Sequence, residues 1–182
     1  MRSLSEHILD IVQNSIRAKA KLIEIMVEEN KLSDLCHITI SDNGCGMNEE
    51  NVKLAINPFF TSRETRKVGL GLSLLKQNAE RANGSFSLTS EPGKGTKVEA
   101  VFQLSNVDKP PLGDIWDTYY LTLLSFIEGE IEYHHTTEKG SFRIHSAELK
   151  AILGNVPLQQ KEIKKAIIEL IKNNLKDIEA LT

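Results

Sequence analysis

Two short stretches of the chain carry residue types whose spacing can do chemistry. Asp10 and Asn14 stand four residues apart, an interval that in a helix stacks both side chains on one face, one turn apart. A carboxylate and an amide oxygen so placed can share a hydrated Mg²⁺ or position a water; a polar pair on a helix surface is the plainer reading. The run Asp42-Asn43-Gly44-Cys45-Gly46-Met47 ends a strand-like segment with a carboxylate followed by two glycines at spacing two. Such a carboxylate can accept an N–H from a base or sugar, while the glycines let backbone approach a ligand without a Cβ in the way. A tight turn closed by its own aspartate explains the same letters. Gly69-Leu70-Gly71-Leu72 opens a helical pattern, where free backbone N–H groups and the helix dipole attract anions. Just before it, Thr61, Ser62, Arg63, Arg66 and Lys67 are donors suited to phosphate oxygens. Neither GxxxxGKS/T nor GxGxxG occurs, so the P-loop and the dinucleotide fingerprint are both absent.

The elements that must position these residues follow from periodicity. Leu4, Ile8, Ile11, Val12, Ser15 and Ile16 recur at helical spacing, which predicts a helix from residue 4 to about 18, capped by Ser3 or Ser5. Ile23, Ile25 and Val27, then Cys36, Ile38 and Ile40, alternate on either side of a polar turn and predict a hairpin ending at Asp42. A short helix is expected from about 49 to 56, and a polar stretch from Asn57 to Val68, broken by Pro58. The Gly69–Leu72 helix runs to Ala82 and stops at Asn83-Gly84. Phe86 and Leu88, a turn at Glu91–Gly95, and Val98, Ala100, Phe102 and Leu104 make a second hairpin. The order helix, two strands, helix, two strands predicts an α+β fold, a two-layer α/β sandwich with helices on one face of an antiparallel or mixed sheet. Asn106 to Pro111 marks a boundary between residues 1–106 and 107–182. Beyond it come a helix carrying Leu112, Ile115, Trp116, Tyr119, Tyr120, Leu123 and Leu124 and a hairpin of Glu130–His134 with Ser141–His145. A short helix capped by Ser146 and ending at Gly154, and a last helix carrying Ile163 to Leu181, complete an α/β C-terminal extension.

Composition narrows the class. With 182 residues, 40% apolar and 26% charged, the chain is of ordinary globular make-up and too short for a multidomain machine. Residues 1–106 carry 13 basic and 13 acidic side chains, and residues 107–182 carry 9 and 12. Neither part has the positive field that nucleic-acid or anionic-membrane binding needs, and Lys161, Lys164 and Lys165 are too few to make the tail a DNA-binding pair of helices. With no apolar leader and no membrane-length stretch, the expectation is a cytoplasmic protein. Cys36 and Cys45 form no CxxC and are expected to be free thiols.

Taken in order, the motifs resemble the GHKL ATPase superfamily: gyrase-type, heat-shock-chaperone-type, sensor-histidine-kinase and MutL-type ATP-binding domains. The resemblance covers Leu4 to Leu104. Asp10 to Ala18 looks like the N box, Asp42 to Met47 the first glycine box and Asn57 to Ser62 the F box, while Val68 to Leu74 looks like the second glycine box and Gly93 to Thr96 the short last motif. It implies a Bergerat-type fold that binds ATP with Mg²⁺, of the histidine-kinase-like kind. Asn14 would then coordinate Mg²⁺, and Asp42 would accept the adenine amino group with support from Thr96 through its hydroxyl or a water. Gly44, Gly46 and Met47 would line the base pocket. Residues 57–68, including Thr61, Ser62, Arg63 and Lys67, would form the ATP lid, and Gly69, Leu70, Gly71 and Leu72 would give backbone N–H groups to phosphates.

The chain also departs from the family pattern. Asp10 stands where ATPases and anti-sigma serine kinases usually carry a glutamate general base; an aspartate can take a proton but is one methylene shorter. The short lid looks like the kinase branches, whereas Asn14 to Ala20 with Ile23-Glu24-Ile25 looks like the MutL side. Only nine residues precede Asp10, so no phosphoacceptor helix is expected before the N box. His7 is read as a packing or solvated residue, and His134 and His135 as structural, pointing to opposite faces of a strand. The resemblance implies a protein kinase acting on a separate partner, with an ATP-hydrolysing switch or a non-catalytic nucleotide-binding module as alternatives. A homodimer is a further possibility. The tail, Leu112 to Thr182, is expected to take the place of the strand and helix that kinase-type domains carry before the N box.

Overall fold

A computed structural model describes residues 1–57 and 71–181. Helix α1 (Leu4–Arg17) starts where the sequence places it, with the Ser3 side chain accepting a hydrogen bond from the Glu6 N–H. Strands β1 (Leu22–Asn30) and β2 (Leu35–Asp42) form the first hairpin, and α2 (Glu49–Ala55) follows, capped by Asn48. Helix α3 (Gly71–Arg81) leads through Asn83, which adopts φ 53°, into β3 (Ser85–Glu91) and β4 (Gly95–Gln103). The tail adds α4 (Ile115–Ser125), β5 (Glu130–Thr137), β6 (Gly140–His145), α5 (Ser146–Leu153) and α6 (Lys161–Asp177).

The six strands among the described residues belong to one mixed sheet in the order β3-β4-β2-β1-β5-β6. Every neighbouring pair is antiparallel except β1 and β5, which run parallel with Ile23 opposite Ile131 and Val27 opposite His135. Alternation sorts the sheet into two faces. Ile23, Ile25, Val27, Ile38, Ile40, Val98, Phe102, Ile131 and Tyr133 are buried against helices, whereas Glu24, Glu28, His37 and Lys97 face water. Helix α1 buries Leu4, Ile8, Ile11 and Val12, and α3 buries Leu72, Leu75 and Ala79 in the same layer. Helix α4 packs on α1, and α6 on α4. The protein is therefore an α+β sandwich of one sheet and one helical layer, consistent with a Bergerat-type fold carrying extra α/β elements.

The cap of α5 corrects the sequence reading. His145 holds the N-cap position, its Nδ1 accepting the Ala147 N–H at 3.1 Å. The Ser146 hydroxyl turns inward instead and accepts the Ile131 N–H of β5 at 2.9 Å. A buried strand N–H with no other partner is the more costly group to leave unmet, so the serine goes there and the helix takes the neighbouring imidazole.

His134 and His135 do point to opposite faces. The His135 ring is fully buried, with Nε2 3.0 Å from Glu29 Oε1 on β1 and Nδ1 2.6 Å from the Tyr133 hydroxyl. Glu29 also accepts the Leu181 N–H, so one buried carboxylate joins β1, β5 and the end of the chain. Burial pushes the Tyr133 hydroxyl well above its ordinary pKa, with Glu29 adding to the rise.

Candidate functional site

Asp10 and Asn14 sit one turn apart on α1, on the side that meets the start of α3. Asp10 Oδ2 and Asn14 Nδ2 are buried and have no hydrogen-bond partner among the described residues. Asn14 Oδ1 accepts from Arg17 Nη1 at 2.9 Å. Gly71, the first residue of α3, lies so close to Asp10 that a Cβ built there would fall 2.0 Å from Asp10 Oδ2. A Cβ there would displace the Asp10 side chain, so glycine brings the beginning of a helix against a carboxylate and an amide. Leu72 turns into the core and is 5% exposed, anchoring that helix start.

Asp42 closes β2 with both carboxylate oxygens engaged. Oδ2 accepts the Ser15 hydroxyl of α1 at 2.6 Å, and Oδ1 accepts the Gly44 N–H at 2.8 Å in an Asx-type turn. A Cβ on Gly44 would meet the Ala18 carbonyl at 2.8 Å, so the loop rests directly on the end of α1. Asn43 Oδ1 accepts the N–H groups of Lys21 and Leu22, fastening the same loop to the start of β1. Gly46 adopts φ 64°, and a Cβ on it would lie 2.0 Å from the Glu91 carbonyl.

The loop and the β3–β4 turn are stitched into one body. The Met47 N–H donates to Ser90 Oγ at 2.8 Å, Ser90 donates to the Gly95 carbonyl at 2.8 Å, and the Ser90 and Thr96 hydroxyls lie 3.0 Å apart. The Gly93 N–H donates to the Cys45 carbonyl. Gly95 adopts φ 99°, with the Asp42 carbonyl 1.9 Å from where its Cβ would stand. Thr96 lies directly opposite Asp42 in the β2–β4 register, yet the hydroxyl that reaches the carboxylate belongs to Ser15. An open depression of about 400 Å³ lies beside these residues, lined by Asp42, Ser90, Gly95, Thr96, Lys94 and Lys97 among others.

The structure thus gathers Asp10, Asn14, Gly71 and Leu72 at the α1–α3 seam, and Asp42, Gly44, Gly46, Met47 and Thr96 around the sheet end, with α1 as the element common to both groups. Thr61, Ser62, Arg63, Lys67, Gly69 and Leu70 lie outside the described residues. Ser15 and Ser90 escaped the sequence reading. Ser15 was visible only as a helix-face residue beside Asn14, and Ser90 carries no local signal, since its place is set by the register that puts it opposite Thr96.

No group of three His, Cys, Asp or Glu side chains among the described residues could hold a metal ion. Cys36 and Cys45 are free thiols, Cys36 buried and Cys45 exposed in the loop. No helix among the described residues is long and apolar enough to cross a membrane.

Comparison with known proteins bears on the same residues. Residues 2–106 match the family model described as histidine kinase-, DNA gyrase B- and HSP90-like ATPase. A sensor protein of Shewanella frigidimarina is 30% identical over 109 residues, which is 59% of this chain and 17% of that protein. The sensor protein DegM of a Bacillus species is 32% identical over 95 residues, 52% of this chain and 25% of its own. The cell-division control histidine kinase PdhS of Brucella ovis is 31% identical over 120 residues, 58% of this chain and 12% of its own. The chain spans a quarter or less of the length of these curated relatives. Among solved structures, the N-terminal domain of a DNA repair protein aligns with 80% of this chain and 52% of its own at 20% identity, with a TM-score of 0.49.

Proposed function

The chain belongs to the histidine kinase-, DNA gyrase B- and HSP90-like ATPase family, and from that premise we propose that it is a Mg²⁺-dependent ATP-binding regulatory protein that transfers the γ-phosphoryl group to a separate protein partner. One observation carries the reading: Asp10 Oδ2 and Asn14 Nδ2 are buried without partners among the described residues, beside a helix start where a Cβ would collide with the Asp10 carboxylate. Buried polar atoms are ordinarily satisfied, and leaving one unmet costs about 1–3 kcal/mol, so this pair is prepared for something that binds.

The residues present fit the group. Asn14 offers an oxygen ligand of the hard type Mg²⁺ prefers, once Arg17 releases it. Bound there, the ion would offset negative charge on the phosphates. Asp42, held by Ser15 and Gly44, presents a carboxylate for the adenine amino group. Gly44, Gly46 and Met47 flank it as the base pocket, and Thr96 braces the adjoining strand. Gly71 and Leu72 at the start of α3 offer backbone N–H groups to phosphate oxygens, a role that the motif order assigns to Gly69 and Leu70 as well. Thr61, Ser62, Arg63 and Lys67 are assigned to the lid by their place in the motif order.

In the transfer, a nucleophile on the partner bonds to the γ-phosphorus as the bond to the bridging oxygen breaks and ADP leaves. If the acceptor is a hydroxyl, Asp10 Oδ2 takes its proton; an imidazole acceptor needs no base. Asp10 Oδ2, unpartnered among the described residues, equally suits activation of a water, which favours an ATP-hydrolysing switch as the second reading.

Incubation with γ-labelled ATP, with and without cell extract, separates them. Label on a partner protein is the expected result. Free phosphate released by the purified protein alone points to the hydrolase, and neither product leaves a nucleotide-binding module and overturns both catalytic readings.

A further inference from the structure

One turn before Asp10 on α1 stands His7, whose ring is 0% exposed. Its Nε2 lies 3.0 Å from Asn78 Nδ2 of α3. The Gly71 carbonyl is close enough to favour a proton on the ring, although Nδ1 makes no well-formed hydrogen bond among the described residues. Gly71 and Asn78 are seven residues apart, about two helical turns, so the imidazole is braced along one face of α3 from its first residue. The same face meets α1 again at Asp10, where the fit is close enough to exclude a Cβ on residue 71. An apolar side chain would fill this seam without leaving a ring nitrogen unmet.

We infer that His7 is a positioning residue: through Asn78 and Gly71 it fixes where α3 begins relative to Asp10, and so where the first N–H groups of α3 point. The inference rests on the ATP reading above, because those N–H groups are the ones assigned to phosphates. His7 itself is fully buried in the seam, and no contact with nucleotide is assigned to it.

The chemistry of the ring makes the role testable. The charged groups acting on it are the α-amino group, Glu6 and Asp10, all from its own end of the chain. Helix α3 presents the Asn78 amide and the Gly71 carbonyl to it. Burial is the largest influence and lowers the pKa below the ordinary 6.5, so the ring is neutral at pH 7. As pH falls below 6.5 the unfolded chain binds this proton before the folded one does, so the stability the brace contributes is complete above that pH and declines below it, and the brace itself is lost as pH falls through the lowered pKa of the folded ring. A proton on both nitrogens also gives the Asp10 carboxylate a cation one turn away, drawing it off Gly71.

The test uses the full chain, with His7→Gln as the informative variant, since glutamine keeps a polar atom for Asn78 and does not titrate. Hydrogen exchange of the α3 amides at residues 75–78, which donate to the carbonyls of the first turn of that helix, is measured without nucleotide from pH 8 to 5, corrected for intrinsic exchange, and Mg·ATP affinity is measured across the same range. The wild type is expected to lose protection at least about tenfold on acidification, with a parallel loss of affinity, while His7→Gln loses neither beyond the common background. His7→Leu, if it folds, is expected to show weakened protection and affinity at every pH. Identical pH profiles for wild type and His7→Gln in the exchange experiment overturn the inference. If the wild type binds no ATP at any pH, the functional reading fails by itself, and the nucleotide-free exchange profiles still decide the role of His7.

Discussion

At Asp42 a single carboxylate is held from two sides, by a hydroxyl on α1 and by a backbone N–H two residues on. Replacing it with asparagine keeps size and shape, and the Ser15 hydroxyl can rotate to accept from the new amide. Asp42→Asn is therefore expected to leave the urea midpoint nearly unchanged while weakening ATP binding about ten- to hundredfold, the worth of a hydrogen bond to a charged group. Calorimetry checks this, and unchanged affinity would remove Asp42 from the adenine site. The two thiols give a second residue-scale contrast. Burial pushes the Cys36 thiol up to about 12, whereas Cys45 is exposed in the glycine loop. A thiol reagent at pH 8 is expected to modify Cys45 within minutes and Cys36 only on unfolding, giving one reactive group per native chain. Saturating ATP is expected to slow the fast reaction, since Cys45 lies between two glycines of the proposed base pocket.

Among the elements, the seam between α1 and α3 decides the geometry of the site. In an exposed helix interior an alanine would outdo a glycine by about 0.8–1.0 kcal/mol. At Gly71 the sign reverses, because the new Cβ would fall 2.0 Å from Asp10 Oδ2 and either the buried Asp10 side chain or a helix must shift. Gly71→Ala is expected to be less stable in urea and to lose nucleotide affinity. Removing the obstruction with Asp10→Ala in the same chain is expected to restore stability, giving a coupling of about 0.5–3 kcal/mol in a double-mutant cycle. Additive effects would mean that the close approach is relieved at no cost by movement of the aspartate. The β3–β4 turn behaves differently: a Cβ at Gly93 meets nothing within 4 Å, so only its φ of 78° opposes substitution there.

For the molecule as a whole, the tail is part of the same sheet as the site. Strand β5 pairs with β1 along seven residues, α4 covers α1, and the N–H groups of Leu4 and Ser5 donate to the carbonyls of Pro111 and Leu112. The buried Glu29–His135 contact crosses the same junction. Cutting the chain after Asn106 would expose β1 as a long apolar edge carrying Ile23, Ile25 and Val27, and would uncover α1, which bears Asp10, Asn14 and Ser15. The fragment 1–106 is expected to aggregate or to bind ATP far more weakly than the full chain. A soluble, monomeric fragment with full-chain affinity would show that the tail does not support the site.

The elements of this fold are legible in the sequence because alternation and helical periodicity are local. Ile23, Ile25 and Val27, or Leu4, Ile8 and Ile11, announce which side of each element must be buried. The motif order likewise announces Asp42 and the glycines, because a glycine needed for a close approach or a positive φ leaves its mark in the letters. Other features depend on which surfaces meet. The Ser15 hydroxyl on Asp42, Ser90 beneath Met47, His7 against Asn78 and the parallel pairing of β5 with β1 join residues 27, 43, 71 and 108 positions apart. A serine or histidine at a helix face or strand position is compatible with many partners. Register and helix packing alone select one, and so tertiary structure decided that the acidic tail would complete the sheet behind the site.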